Sequence, residues 1–311
     1  MQFHPVHFST FVSFATESTS LRSTAHLTIT ELSRHLYTAV LFTWTDYKTI
    51  FIPVTAFACA AGPVHSLSNL LQTWIWIWTH LLLCNVSNQA RSKDEDAINR
   101  PWRPIPAGRL NESQAVVLRW TTAICCVLWS TLYGWEQALT SLGLLLTTFL
   151  YDEAGLSKHV IGKNLCNIGG YVTFEIGATK IIASRRELDH ISLAAVIISG
   201  ILIFTTIQAQ DFPDVEGDAA SGRITFPIYA PEFSRTATFG ALVGWSAFLS
   251  QYWALGPIST TVFMLLGLYS GARYYLWRTV AQDKSSYLIF SVWLTLAHIL
   301  PLHARAGILA F

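Results

Sequence analysis

Two short stretches of this chain crowd acidic and basic side chains at spacings that allow them to act together. The first runs from Asn88 to Gly108 and contains Asn88, Ser92, Lys93, Asp94, Glu95, Asp96, Arg100 and Arg103, closing on the proline-spaced turn Pro101-Trp102-Arg103-Pro104-Ile105-Pro106. The second runs from Gln208 to Asp218 and contains Asp211, Asp214, Glu216 and Asp218. On a continuous helix Asn88, Ser92 and Asp96 recur every four residues and Glu95 stands seven after Asn88, so they share one face, while Asp94 falls off it. Asp211, Asp214 and Asp218 follow the i, i+3, i+7 pattern and share a face in the same way. Carboxylates this close repel one another unless cations sit between them. Magnesium answers that need, because it takes oxygen ligands and binds through one or two carboxylates plus substrate phosphates. Two facing clusters of this kind can hold such ions around a diphosphate, with Arg103, Lys158 and Arg223 as cationic support for a leaving pyrophosphate. The chemistry implied is ionisation of an allylic diphosphate, with the carbocation kept away from water.

The elements that position these groups follow from composition. The chain has 311 residues, of which 52% are hydrophobic and 13% charged. A soluble domain carries about 25% charged residues, so this composition predicts an integral membrane protein that lives in the lipid bilayer. The net charge of +1 offers no footing for a nucleic-acid partner. Five cysteines lie inside apolar runs without CxxC spacing, and no HExxH is present among ten histidines, so a zinc site is not expected.

Hydropathy predicts an amphipathic lead-in helix over 29–44, then about nine apolar segments near 47–62, 67–88, 114–133, 136–151, 163–183, 190–210, 234–253, 258–277 and 286–303. The expectation is an all-α, multi-span helical bundle. Residues 1–28 are expected to be a poorly ordered N-terminal segment and 29–311 a single membrane-embedded catalytic domain. Lys and Arg concentrate on the N-terminal side of the bundle, which places both acidic loops in the cytoplasm by the positive-inside rule. The endoplasmic reticulum is the expected membrane. A weak internal echo, apolar span, acidic mouth and Gly/Pro turn, joins 67–108 to 190–231. The Trp74-Ile75-Trp76-Ile77-Trp78 run reads as interfacial or lipid-facing packing.

These motifs resemble those of the UbiA superfamily of intramembrane prenyltransferases. That family typically shows N-D-x-x-D-x-x-x-D followed by a turn such as I-N-R-P-x-R-P-I-P-x-G, matched here by Asn88, Asp96 and Ile98 to Gly108. Its second motif is similar to Asp211, Asp214, Asp218, Gly222 and Pro227 of this chain. Tyr151 and Lys158 resemble the tyrosine and lysine of the loop after the fourth helix, at a different spacing, and the resemblance implies that they bind diphosphate. The resemblance also implies metal ligation by Asn88, Asp96, Asp211, Asp214 and Asp218, the four aspartates being the catalytic set. Gln89 and Ser92 depart from the pattern where the family has aspartates. Glu95 is the expected substitute for the missing middle ligand. Thr45-Asp46-Tyr47-Lys48-Thr49, Gly162-Lys163-Asn164 and Gln210-Asp211-Phe212 are similar to a subgroup of membrane-bound terpene cyclases of fungal secondary metabolism. The expected function is therefore a magnesium-dependent cyclase that converts a prenyl diphosphate, farnesyl diphosphate by expectation, to a sesquiterpene. The rival within the family is transfer of the prenyl group to an aromatic acceptor. A secondary transporter or a non-catalytic membrane protein is the rival of another class, and the position of the carboxylates at segment ends rather than at midplane argues against a transporter.

Overall fold

The computed structural model describes residues 30–311, so the expected disorder of 1–28 lies outside the described residues. The described residues fall into two units, 30–41 and 42–311. Of the first, residues 30–41 are helical, with an Arg34–Glu31 ion pair at 2.8 Å one turn apart.

The second unit is all-helical among the described residues. Its long helices are α1 (Ile52–Ala61), α2 (Leu67–Gln89), α3 (Glu112–Thr131), α4 (Trp135–Asp152), α5 (Val160–Ala183), α6 (His190–Thr206), α7 (Pro231–Tyr252), α8 (Pro257–Leu276) and α9 (Val280–Ile299). Each corresponds to one of the nine apolar segments read from sequence. At a rise of about 1.5 Å per residue, helices of 20 residues span about 30 Å, the thickness of a bilayer core. The starts are set by local chemistry. Ser66, Asn111, Asp189 and Thr279 cap α2, α3, α6 and α9 through their side chains, and Pro231 and Pro257 open α7 and α8. Helix α9 begins at Val280 rather than near 286 because its first turns carry the polar residues Gln282, Asp283 and Lys284, which hydropathy leaves out.

The packing is inverted relative to a soluble bundle. Val117, Ile124 and Leu128 of α3, Leu139, Leu142 and Leu146 of α4, and Leu193, Ile197 and Ile201 of α6 are exposed at helical spacing. The interior mixes large apolar side chains such as Phe57, Trp76 and Trp293 with small and polar ones that join the helices. Trp76 donates to Ser130 at 2.8 Å, Ser130 meets Ser141 at 2.6 Å, and Ser141 meets His80 at 2.8 Å, tying α2, α3 and α4 together. Trp293 donates to Ser246 at 2.9 Å where Gly267 lets α8 approach α7 closely. Among the described residues, the two stretches His190–Ala220 and Val280–Ala306 are long and apolar enough to cross a membrane by length and composition alone.

Candidate active site

Helix α2 does not continue through the first motif. It ends at Gln89, turns at Ala90–Ser92, and restarts as the short helix Lys93–Asn99. Ser92, N-terminal to that short helix, gives its hydroxyl to the Asn88 carbonyl at 2.9 Å. Arg100 then leaves the helical conformation, at φ −148° and ψ 63°, as the following proline disfavours the α region. The second motif breaks too: after Thr206 come two 3-10 turns, Ile207–Gln210 and Phe212–Asp214, and then the short helix Val215–Ala220. The continuous-helix spacing assumed for both motifs is thus replaced by two loop-borne short helices. They meet where Gly217 allows Asn99 to approach, since a Cβ at Gly217 would overlap the Asn99 side chain.

The loops share one cavity of about 480 Å³. Ion pairs stitch them across it: Arg100 to Asp214 at 2.5 Å and Arg223 to Glu95 at 2.6 Å. Lys163, in the first turn of α5, pairs with Asp211 at 2.7 Å and lies 3.8 Å from Asp218. Asp152, at the end of α4, accepts from Ser87 at 2.6 Å and from Asn88 at 3.1 Å. Burial pushes the Glu95 carboxyl up to about 7, against the pull of Arg223, while Asp218 and Asp96 add to the rise. The deep end of the cavity is apolar and aromatic, formed by Leu81, Leu144, Tyr171 and Phe174. Phe174 is backed edge-on by Trp76 at 6.2 Å, and Trp76 stacks on His80 at 4.0 Å. Trp76 is therefore core, not a lipid-facing ring; Trp74 of the same run is exposed.

Of the residues expected from sequence, Asn88, Glu95, Asp211, Asp214, Asp218, Arg103, Arg223 and Tyr151 line this cavity. Two do not. Lys158 is exposed outside it, its carbonyl accepting from Ile224 at 3.1 Å, and Lys163 supplies the cation at this position instead. Asp96 is 0% exposed and lies behind the wall, its carboxylate held by Arg103 at 2.6 Å. This geometry makes Asp96 the residue that positions Arg103, rather than a group facing the cavity. Gln89 points away from the cavity and donates to the Phe42 carbonyl at 2.9 Å, so its departure from the acidic pattern has a packing reason.

Asp46, Lys48, Arg100, Asp152, Lys163 and Lys284 also line the cavity. The signals for four of them were charges inside or bordering apolar segments: Asp46 just before the first, Lys48 within it, Asp152 just after the fourth, and Lys163 opening the fifth. Counted together, the lining holds six carboxylates (Asp46, Glu95, Asp152, Asp211, Asp214, Asp218) and six cations (Lys48, Arg100, Arg103, Lys163, Arg223, Lys284). The wall is charge-balanced by itself, so a bound diphosphate needs further positive charge.

A divalent cation fits that need. The donors are hard oxygens, and Asp218 Oδ2 is buried with no hydrogen bond, the Lys163 ammonium lying 3.8 Å away. Among the described residues no three His, Cys, Asp or Glu side chains converge into a ready-made cage. That suits an ion that takes one or two carboxylates and completes its shell with phosphate and water.

Residues 50–295 match the model of the UbiA prenyltransferase family, and the chain belongs to that family of integral membrane enzymes. The fumagillin beta-trans-bergamotene synthase af520 of Aspergillus fumigatus is 28% identical over 271 residues, covering 87% of this chain and 93% of that protein. The diterpene cyclase eriG of Hericium erinaceus is 30% identical over 228 residues, covering 70% of this chain and 73% of its own. The fold is similar to that of a UbiA homolog from Archaeoglobus fulgidus solved bound to GPP and Mg2+, with a TM-score of 0.61 at 12% identity, covering 85% of this chain and 99% of that one.

Proposed function

We propose that this protein is a membrane-bound terpene cyclase that ionises farnesyl diphosphate with magnesium and closes the carbocation to a sesquiterpene, releasing pyrophosphate. The observation that carries the reading is the single cavity with two ends. Its mouth is lined by both acidic loops and their cations, and its floor by Leu81, Leu144, Tyr171 and Phe174. The kinship with named terpene cyclases supports it.

Asn88, Glu95, Asp211, Asp214 and Asp218, with Asp152, would hold magnesium. When bound, magnesium neutralises charge on the departing diphosphate. Arg103 and Arg223 bind the phosphates from the mouth, Arg103 being aimed by Asp96. Lys163 holds Asp211 and Asp218 in place. The aromatic floor folds the prenyl chain and keeps water from trapping the cation as an alcohol. Tyr171 is fixed for this by donating to the Thr49 carbonyl at 2.5 Å. Residues 29–311 work as one catalytic domain in this reading, embedded in the endoplasmic reticulum with the mouth facing the cytoplasm.

The test is pyrophosphate release from geranyl, farnesyl and geranylgeranyl diphosphate by the purified protein, with magnesium or with a chelator. The reading predicts metal-dependent release, fastest with farnesyl diphosphate and cut by orders of magnitude in Asp214→Ala and Asp218→Ala. Release that ignores the chelator, or that survives both substitutions, would overturn it.

A further inference from the structure

Among the described residues, two of the six cavity cations have no carboxylate within ion-pair distance, Lys48 and Lys284. The other four each hold a carboxylate of the motifs. Lys48 is carried by the π-helical turn Tyr47–Phe51, a rare geometry that concentrates at functional sites. The turn is pinned from two sides, by Trp78 donating to the Tyr47 hydroxyl at 3.0 Å and by Tyr171 donating to the Thr49 carbonyl at 2.5 Å. Its backbone is therefore held rigid by side chains of α2 and α5.

The Lys48 ammonium sits 4.8 Å from the centroid of the Tyr287 ring, a cation–π seat that orients it without quenching its charge. The charged groups that face it are Asp46, Arg100 and Asp214. Asp46 is engaged locally, accepting from Thr49 at 3.0 Å and from Thr45 at 3.3 Å. Asp214 is taken by Arg100. The ammonium thus keeps its three N–H donors available beside the second acidic loop. A half-buried ammonium is costly when it lacks a counter-ion, and an anionic substrate group would supply one.

We infer that Lys48 is a further catalytic residue that contacts the diphosphate, donating to its phosphate oxygens from the α1 side of the cavity and staying on pyrophosphate as it leaves. The inference rests on the function proposed above. In the step, the carbon–oxygen bond at C1 of the prenyl chain breaks heterolytically and the electron pair stays on the diphosphate oxygen. The prenyl fragment keeps the positive charge, and no proton leaves Lys48. Lys284, exposed at the mouth three residues before Tyr287, draws the anion toward this seat.

The test uses full-length protein in lipid nanodiscs. Inorganic pyrophosphate with magnesium chloride is titrated calorimetrically, and kcat and KM are measured with farnesyl diphosphate. Lys48→Met keeps the length of the side chain and breaks no ion pair; its thermal unfolding is recorded beside that of Lys48→Arg, so a folding defect is read separately. The expected result is pyrophosphate binding weakened at least about tenfold and kcat lowered roughly 100-fold in Lys48→Met, the cost of one preorganised donor. Lys48→Arg restores most of both, and Tyr287→Leu, which keeps the charge but removes its seat, falls between. Wild-type binding that Lys48→Met leaves unchanged overturns this inference alone, whatever happens to kcat. A wild-type protein that binds no pyrophosphate overturns the site reading and this inference with it.

Discussion

Asp96→Ala separates a residue that aims a cation from one that faces the cavity. Asp96 is 0% and Arg103 7% exposed, and their pair closes at 2.6 Å. Removing the carboxylate leaves a guanidinium with little solvent, which costs about 3–5 kcal/mol for a buried pair. Arg103 also reaches the Thr45 hydroxyl at 3.2 Å and borders the cavity, so the lower end, about 3 kcal/mol, is expected. At about 2–4 °C per kcal/mol this lowers Tm by roughly 6–12 °C. The assay is thermal unfolding in detergent without metal, for Asp96→Ala, Arg103→Met and the double variant. Because the double variant leaves no orphaned charge, it should recover at least half of the loss. Asp96→Ala with wild-type Tm and abolished magnesium-pyrophosphate binding would refute this and return Asp96 to the ligand set.

Three further outcomes are expected. The Glu95 carboxyl titrates near 7 in the metal-free fold, above its ordinary value of 4.5, so the stability its bound proton supports is full below about pH 4.5 and lost as pH rises through 7. Metal-free Tm should fall over that window, and Glu95→Gln should flatten the fall; an unchanged slope would remove Glu95 as its source. Gly177→Ala should overpack the core by about 1–3 kcal/mol, since a Cβ there overlaps Trp76 and Gln137, and should shift the product pattern through Phe174. Wild-type Tm and products in that variant would show that the floor is softer than described. Single cysteines placed in the loops 89–112 and 211–233 should both react with an impermeant thiol reagent from the cytoplasmic side; labelling from opposite sides would break the shared cavity.

Most of the architecture was legible because lipid imposes one rule on the outside of every long helix. The apolar runs therefore marked the nine long helices to within a few residues, and they failed at α9, where Asp283 and Lys284 sit inside the helix. The acidic loops were legible by composition but not by geometry. Helical spacing gave the right neighbours for Asp211, Asp214 and Asp218 although the backbone there is two 3-10 turns and a short helix. It misplaced Asp96, because a break at Ala90–Ser92 rotates the short helix so that Glu95 lines the cavity and Asp96 does not. Lys158 and Lys163 were not separable by charge and loop position. Only the fold shows that Lys163, on the first turn of α5, reaches Asp211. Lys48 was visible as a charge in an apolar segment, with Asp46 just before it, but the aim of Lys48 depends on a π-turn that no sequence period announces.

The central claim is that the carbocation reacts with its own double bonds and not with a second substrate. It is tested most directly by incubating the purified protein with magnesium and farnesyl diphosphate alone and identifying the products by mass spectrometry and NMR. The account predicts a cyclic C15 hydrocarbon and free pyrophosphate in equal amounts. Product that forms only after an aromatic acceptor is added, as a prenylated arene, would contradict it and make the protein a prenyltransferase.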